Sequence, residues 1–313
     1  MKHLFLLALI LPTLLIAQTT WDGTVDSTWY ISDKEATSYT ITTAAQLAGL
    51  ATVVNRGTNF SGKTITLGAN IILNDTNAQG GWRNWNSSTI DLRQWAPIGN
   101  SSNMFYGSFD GNGKLIIGLY ISRTSDYQGL FGCIRGNISN LGVAGFYVKG
   151  GGAVGSVVGS NRGTIVNSYA VGNVSGTNYV GGVVGNNDSG TIANSYAVGS
   201  VSGDSRVGGV VGNNTSGTIA NSYAVGSVSG TSYVGGVVGS NNGAVSYSYY
   251  NSDSATASNL NQLGSPKATT EMQTSAFCDT LQIYANVSNT INADNNFMSW
   301  IYNTNGYPSL SST

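Results

Sequence analysis

VGGVVGNNDSGTIANSYAVGSVSGDS, residues 180–205, is followed at residues 207–232 by VGGVVGNNTSGTIANSYAVGSVSGTS. A looser copy, VGSVVGSNRGTIVNSYAVGNVSGTN, precedes them at residues 154–178. Outward from these units, Asn140, Asn167, Asn194 and Asn221 stand 27 residues apart. Ile138, Ile165, Ile192 and Ile219 keep the same step, with Val245 following at 26. Tyr169, Tyr196 and Tyr223 do likewise, with Tyr249 following at 26. Gly132, Gly159, Gly185, Gly212 and Gly239 step by 27, 26, 27 and 27, and five aligned copies exclude chance. A period of this size marks a solenoid, a propeller or an array. The units are rich in Val, Ile, Thr, Ser, Tyr and Gly, which are poor helix formers. A propeller blade needs about 40–45 residues, so it is too long. The spacing predicts an all-β fold: a parallel β-helix, a solenoid with about 27 residues per coil.

In such a stack each coil lies about 4.8 Å above the last, so repeat positions form ladders. Ile138, Ile165, Ile192 and Ile219 are expected to form an apolar ladder. Asn140, Asn167, Asn194 and Asn221 are expected to form an amide ladder. Which of Asn194 and Ser195 faces inward is open. Asn187 is expected in a solvated turn. The solenoid is placed at residues 62–264, with strict repeats over 129–250. Looser coils, GKTITLGANIIL at 62–73 and GKLIIGLYI at 113–121, flank a Trp-rich insertion at 74–107 carrying Trp82, Trp85 and Trp95. Open solenoid ends expose strand edges and need covers. The N-terminal segment 18–61 supplies a capping helix over 43–56. Thr43 is its N-cap, Gln46 completes a capping box, and Gly57 stops it. Leu47, Leu50, Ala51 and Val54 share its apolar face. Residues 265–313 lose the repeat but keep Phe277, Leu281, Trp300 and Tyr307, and read as an irregular C-terminal cap.

Composition narrows the chemistry. The chain has 313 residues and 43 glycines but only 4 prolines, which excludes collagen. Charged residues make up 9%, against a usual share of about 25%, yet 41% of residues are hydrophobic, so the chain can bury a core. Net charge is −1 and no basic patch stands out, which excludes a nucleic-acid partner. Residues 1–17 read as an export signal peptide: Lys2 and His3, then an apolar run to Ala17 that is too short for a membrane span of about 20 residues. No later run is long enough to span, so the mature chain is expected to be secreted or on the cell surface. The one histidine is His3, which leaves the mature chain without His-based catalysis or His-ligated zinc. Cys133 and Cys278 are either one disulfide or two small buried hydrophobic side chains.

The VGGVVGNN and GTIANSYAVGSVSG units resemble the GLUG-motif repeats of bacterial surface and secreted proteins. ITTAAQLAGLATVVN at 41–55, WAPIG at 95–99, FDGNGKLIIGLYI at 109–121 and YQGLFG at 127–132 are similar to the leader of such repeats. The resemblance implies a right-handed β-helix in an exported, adhesin-like setting. GLUG repeats also accompany zinc metallopeptidases that cleave immunoglobulin A, but this chain has no HExxH motif. The resemblance carries over no catalytic residues.

Three functions are weighed. The first is a non-catalytic secreted or cell-surface solenoid for adhesion or surface interaction, with a glycan or a host protein as ligand. The second binds or degrades a polysaccharide. Degradation needs paired carboxylates, and none share a face of the coils. Asp110, in the sequence Phe109-Asp110-Gly111-Asn112, is the best single carboxylate, although Asp-Gly makes tight turns unaided. The third is an ice- or mineral-binding face, for which Thr191 and Thr218 align but Ala244 breaks the column. No catalytic residue, cofactor or metal is expected. Tyr179, Arg206 and Tyr233 share one repeat position on an outer corner, where they read either as a stabilising Tyr–Arg–Tyr stack or as the candidate partner-binding strip.

Overall fold

The computed structural model describes residues 19–86, 88, 91–255, 257, 260–261, 263–291 and 297–311, with the side chains of 287–291 excepted. The expected leader, residues 1–17, lies outside the described residues. The chain winds into a parallel β-solenoid with one coil per repeat. A central coil shows the plan: Asn178–Gly181, Val184–Asn187, Thr191–Ala193 and Tyr196–Val198 each join a different sheet. Turns rich in Gly, Asn and Ser separate these short strands. Two of the sheets have five strands, one has eight and one has eleven. Successive coils pair in register, for example Ile165 with Ile192 and Ile192 with Ile219, with a register shift between Val171 and Gly172 where Tyr169–Ser175 meets Gly142–Lys149.

Register sets the core. On the eight-stranded sheet, Ile65, Phe109, Ile138, Ile165, Ile192 and Ile219 form one fully buried column. Val183, Val210 and Val237 and the column of Val180, Val207 and Val234 line the other walls, also at 0% exposure. Each side chain rests on its own copy one coil away, so shape fit repeats along the axis.

The stack begins earlier than residue 62. Ser38–Ile41 pairs in register with Thr64–Leu67 and is the first strand of the eight-stranded sheet. The partners are 26 residues apart, but a helix occupies the intervening chain and hides the relation. That helix, Ala44–Asn55, buries Leu47, Leu50, Ala51 and Val54 in the same cluster as the first coils. The Thr43 hydroxyl accepts from Gln46 N at 3.2 Å. The return bond differs from the capping-box expectation: Gln46 Oε1 accepts from Thr42 N, one residue earlier, at 2.9 Å. Gly57, at φ 111°, closes the helix as Thr58 N and Gly57 N bond the Val53 and Val54 carbonyls. The Trp-rich insertion is partly wall: Ile98 and Phe105 bridge to Phe131 and Ile134, and Trp95 Nε1 donates to the Leu130 carbonyl at 3.0 Å.

The C-terminal segment departs from an end cap. Ser265–Lys267 adds a last strand beside Tyr249–Asn251. The chain then turns back through the helices Thr269–Met272 and Ser275–Ile291 and runs along the side of the solenoid as a strap. Phe277, Leu281, Met298, Trp300 and Leu310 pack on Tyr196 and Tyr223. The physical reason is the eleven-stranded sheet. Its outward row of stacked tyrosines is too apolar to leave in water, and the strap covers it. Ala255, Ala257, Leu260 and Leu263 instead pack on the main core beyond the last full coils.

Candidate functional site

The asparagine column forms a continuous chain of side-chain amides. Asn221 Nδ2 donates to Asn194 Oδ1 at 2.8 Å, Asn194 Nδ2 to Asn167 Oδ1 at 2.8 Å, and Asn167 Nδ2 to Asn140 Oδ1 at 2.9 Å. Asn140 Nδ2 then donates to Asp110 Oδ1 at 3.0 Å. An ionised carboxylate only accepts, so Asp110 orients every amide above it. Asp110 also accepts from Asn112 N at 2.8 Å, which makes it a turn and an anchor. Each ladder Asn has a φ of 46–55°, a left-handed conformation that Asn tolerates better than most residues. The ladder ends where Tyr247 replaces Asn, and the buried Asn221 Oδ1 has no partner among the described residues.

Sequence reading missed a second ladder. Asn161, Asn187, Asn214 and Asn241 are linked by Nδ2-to-Oδ1 bonds of 2.7, 2.8 and 2.7 Å, and these amides point the opposite way along the axis. Asn187 is thus fully buried and is not in a solvated turn. The signal was present in the 26- and 27-residue spacing of Asn161, Asn187, Asn214 and Asn241, but the neighbouring Gly, Asn and Ser residues made Asn187 read as a solvated turn residue. Asn194 and Ser195 are both fully buried: Asn194 joins its ladder and accepts from Trp300 Nε1 at 2.6 Å, while Ser195 Oγ bonds the Ala193 carbonyl at 2.8 Å.

Tyr179, Arg206 and Tyr233 do form one column. The Arg206 guanidinium lies between the two rings, 5.1 Å from Tyr179 and 5.2 Å from Tyr233. Tyr233 is 61% exposed, while Tyr179 and Arg206 are half-buried. All three hold φ of 53–54°, and Tyr127 and Ala153 continue the column in the same conformation. Because these residues stand at a kink between paired neighbours, their side chains turn outward where ordinary strand geometry would alternate them.

A groove of about 520 Å³ runs beside this strip. Its wall repeats Ser175-Gly176, Ser202-Gly203 and Ser229-Gly230, with Lys149 at one end and Asp204 along it. The glycines are required by packing: a Cβ at Gly203 would sit 2.8 Å from Val180 Cγ2, and one at Gly176 2.8 Å from Val154 Cγ2. Their consequence is a floor of bare backbone.

The carboxylates are scattered. Asp188 pairs with Arg162 at 2.8 Å on the surface. Among the described residues, no three His, Cys, Asp or Glu side chains gather as a metal cluster. Cys133 and Cys278 are free and buried, in different places, and burial pushes the Cys133 thiol up to about 12. Burial also raises the Tyr196 and Tyr223 phenols well above their ordinary value.

Residues 203–229 match the family model of the GLUG motif. The chain carries the GLUG motif. The matched GLUG segment is one coil, running from one groove turn to the next. A 73-residue stretch is 44% identical to a protein of Evansella cellulosilytica described as a Gly-rich membrane protein. That match covers 21% of this chain and 8% of the relative, so the chain spans a small part of that protein's length. No solved structure matches the chain. Among the described residues, no helix is long and apolar enough to cross a membrane.

Proposed function

We propose that this GLUG solenoid is a non-catalytic, secreted or cell-surface interaction module whose contact is the Tyr179–Arg206–Tyr233 strip. The observation that carries the reading is the backbone of the strip. A bulky residue at positive φ costs roughly 1–3 kcal/mol, so three of them cost several kcal/mol. Two exposed cation–π contacts return about 0.5–1 kcal/mol each, which does not offset that cost. Glycine would make the same kink without strain. Side chains kept against a backbone penalty, outward and next to a groove, fit recognition better than stability. Exposed Tyr and Arg are the residue types that anchor contacts. The leader-like residues 1–17 and the membrane-protein description of the relative support a surface setting.

The test replaces Tyr179, Arg206 and Tyr233 together by glycine. Retention on polysaccharide-coated particles and on cultured mammalian cells is measured beside the melting temperature. The expected result is that the unmodified chain is retained on at least one of these surfaces. The glycine variant is expected to lose retention while melting at the same temperature or higher. Unchanged retention refutes the strip as the contact.

A further inference from the structure

We infer that the groove and the strip beside it form a cleft for an extended, uncharged glycan chain lying along the solenoid axis. This rests on the surface-interaction reading and names its ligand class. The groove takes the same repeat position from four successive coils, at Gly150, Gly176, Gly203 and Gly230, so it is straight and spans about 14 Å at the usual strand spacing. Its lining is hydroxyl and backbone groups, which excludes an apolar ligand. Lys149 and Asp204 oppose each other in sign and Arg206 is held between two rings, so a polyanion finds no concentrated field.

The groove wall repeats serine and bare backbone, with Ser175, Ser202 and Ser229 one coil apart. Sugar hydroxyls both donate and accept, and so match a wall of hydroxyl and peptide groups. The exposed Tyr233 ring, two residues from the groove turn at Gly230-Thr231, offers the electron-rich face that Arg206 does not cover to the polarised C–H groups of a pyranose. A straight, periodic cleft suits a flat β-1,4-linked chain and not a coiled α-1,4-glucan.

The test is calorimetric titration of the full chain lacking only residues 1–17. The probes are cellohexaose, xylohexaose and chitohexaose, with maltohexaose and polygalacturonate as contrasts. Binding of at least one β-1,4 hexaose is expected. Ser202→Trp and Ser229→Trp fill the groove from partly exposed or exposed positions. Each is expected to weaken binding by about tenfold or more with the melting temperature kept. The inference is overturned by no β-1,4 hexaose binding, by equal affinity in both tryptophan variants, or by tighter binding of maltohexaose or polygalacturonate. If the tryptophan variants keep surface retention while the strip variant loses it, the glycan cleft fails and the surface reading stands. If neither variant changes retention, the surface reading fails as well.

Discussion

At the scale of single residues, spacing alone locates the isoleucine ladder and the Asn140–Asn221 ladder, because identical residues one coil apart must meet. Ile192 in a fully apolar column is the clearest case. Ile192→Asp buries an unpaired carboxylate and should destabilise by several kcal/mol. Asn187→Asp should also destabilise, since it removes the Nδ2 donor to Asn214 Oδ1 and to the Gly190 carbonyl. Asp188→Asn, which breaks only a surface pair with Arg162, should cost about 0–1 kcal/mol. Thermal melts of the three variants check the order, and an Asn187→Asp chain as stable as the parent refutes the second ladder. Asn194→Ala should cost about 2–4 kcal/mol, because it strips partners from Trp300 Nε1 and from the amides on both sides. What the sequence hid was orientation. In Asn186-Asn187 and Asn194-Ser195 each residue suits a turn, and only the backbone geometry tells that Asn187 and Asn194 join the buried ladders while Asn186 meets Asn213 nearer the surface and Ser195 bonds the Ala193 carbonyl.

At the scale of elements, the helix Ala44–Asn55 was legible because its cap, apolar face and stop are local signals. Thr43→Ala should lower stability by about 1 kcal/mol, measured by denaturant unfolding. A loss beyond that shows that the side chain does more than cap. The strap was legible only as a leftover apolar segment. Its path depends on bonds between residues far apart in the chain, such as Met298 N to Asn167 Oδ1 at 3.0 Å and Asn221 Nδ2 to the Leu281 carbonyl at 3.1 Å. No period announces such contacts. Trp300→Ala removes the indole that stacks near Tyr196 and Tyr223, with centroids 5.9 and 5.6 Å away. It should loosen the strap at a cost of about 3–5 kcal/mol and raise binding of a hydrophobic dye without erasing the far-ultraviolet β signal. Simultaneous loss of both signals would mean that the solenoid does not stand apart from its strap.

At the scale of the whole molecule, the buried tyrosine stack sets the response to alkali. Tyr169, Tyr196 and Tyr223 are stacked at 4.9 and 5.0 Å, and burial raises all three phenols above the ordinary value of 10.0. Groups whose folded pKa is raised leave stability undiminished below the unfolded value. Their stability is then lost as pH climbs from there through the folded value. The chain should therefore hold its melting temperature below pH 10.0 and unfold cooperatively above it, releasing tyrosinate absorbance together with the loss of β structure. Tyrosinate appearing in the stack before unfolding would contradict the burial. The solenoid itself was legible from period and composition, whereas the groove was not, because it exists only between coils.

The two amide chains have a consequence for how such a molecule changes length. Each amide needs only a like neighbour above and below. Residues 180–205 and 207–232 differ only at Asp188/Thr215 and Asp204/Thr231, so one coil can stand in for another. Unequal recombination between these copies would add or remove a whole turn and keep the coil-to-coil amide bonds paired, while the strap's bonds to Asn167, Asn194 and Asn221 would have to move by one coil. A shift by one residue would break both chains of amides at once. The gene can thus vary in copy number without passing through an unfolded intermediate sequence, and every added turn lengthens the strip and the groove by one step.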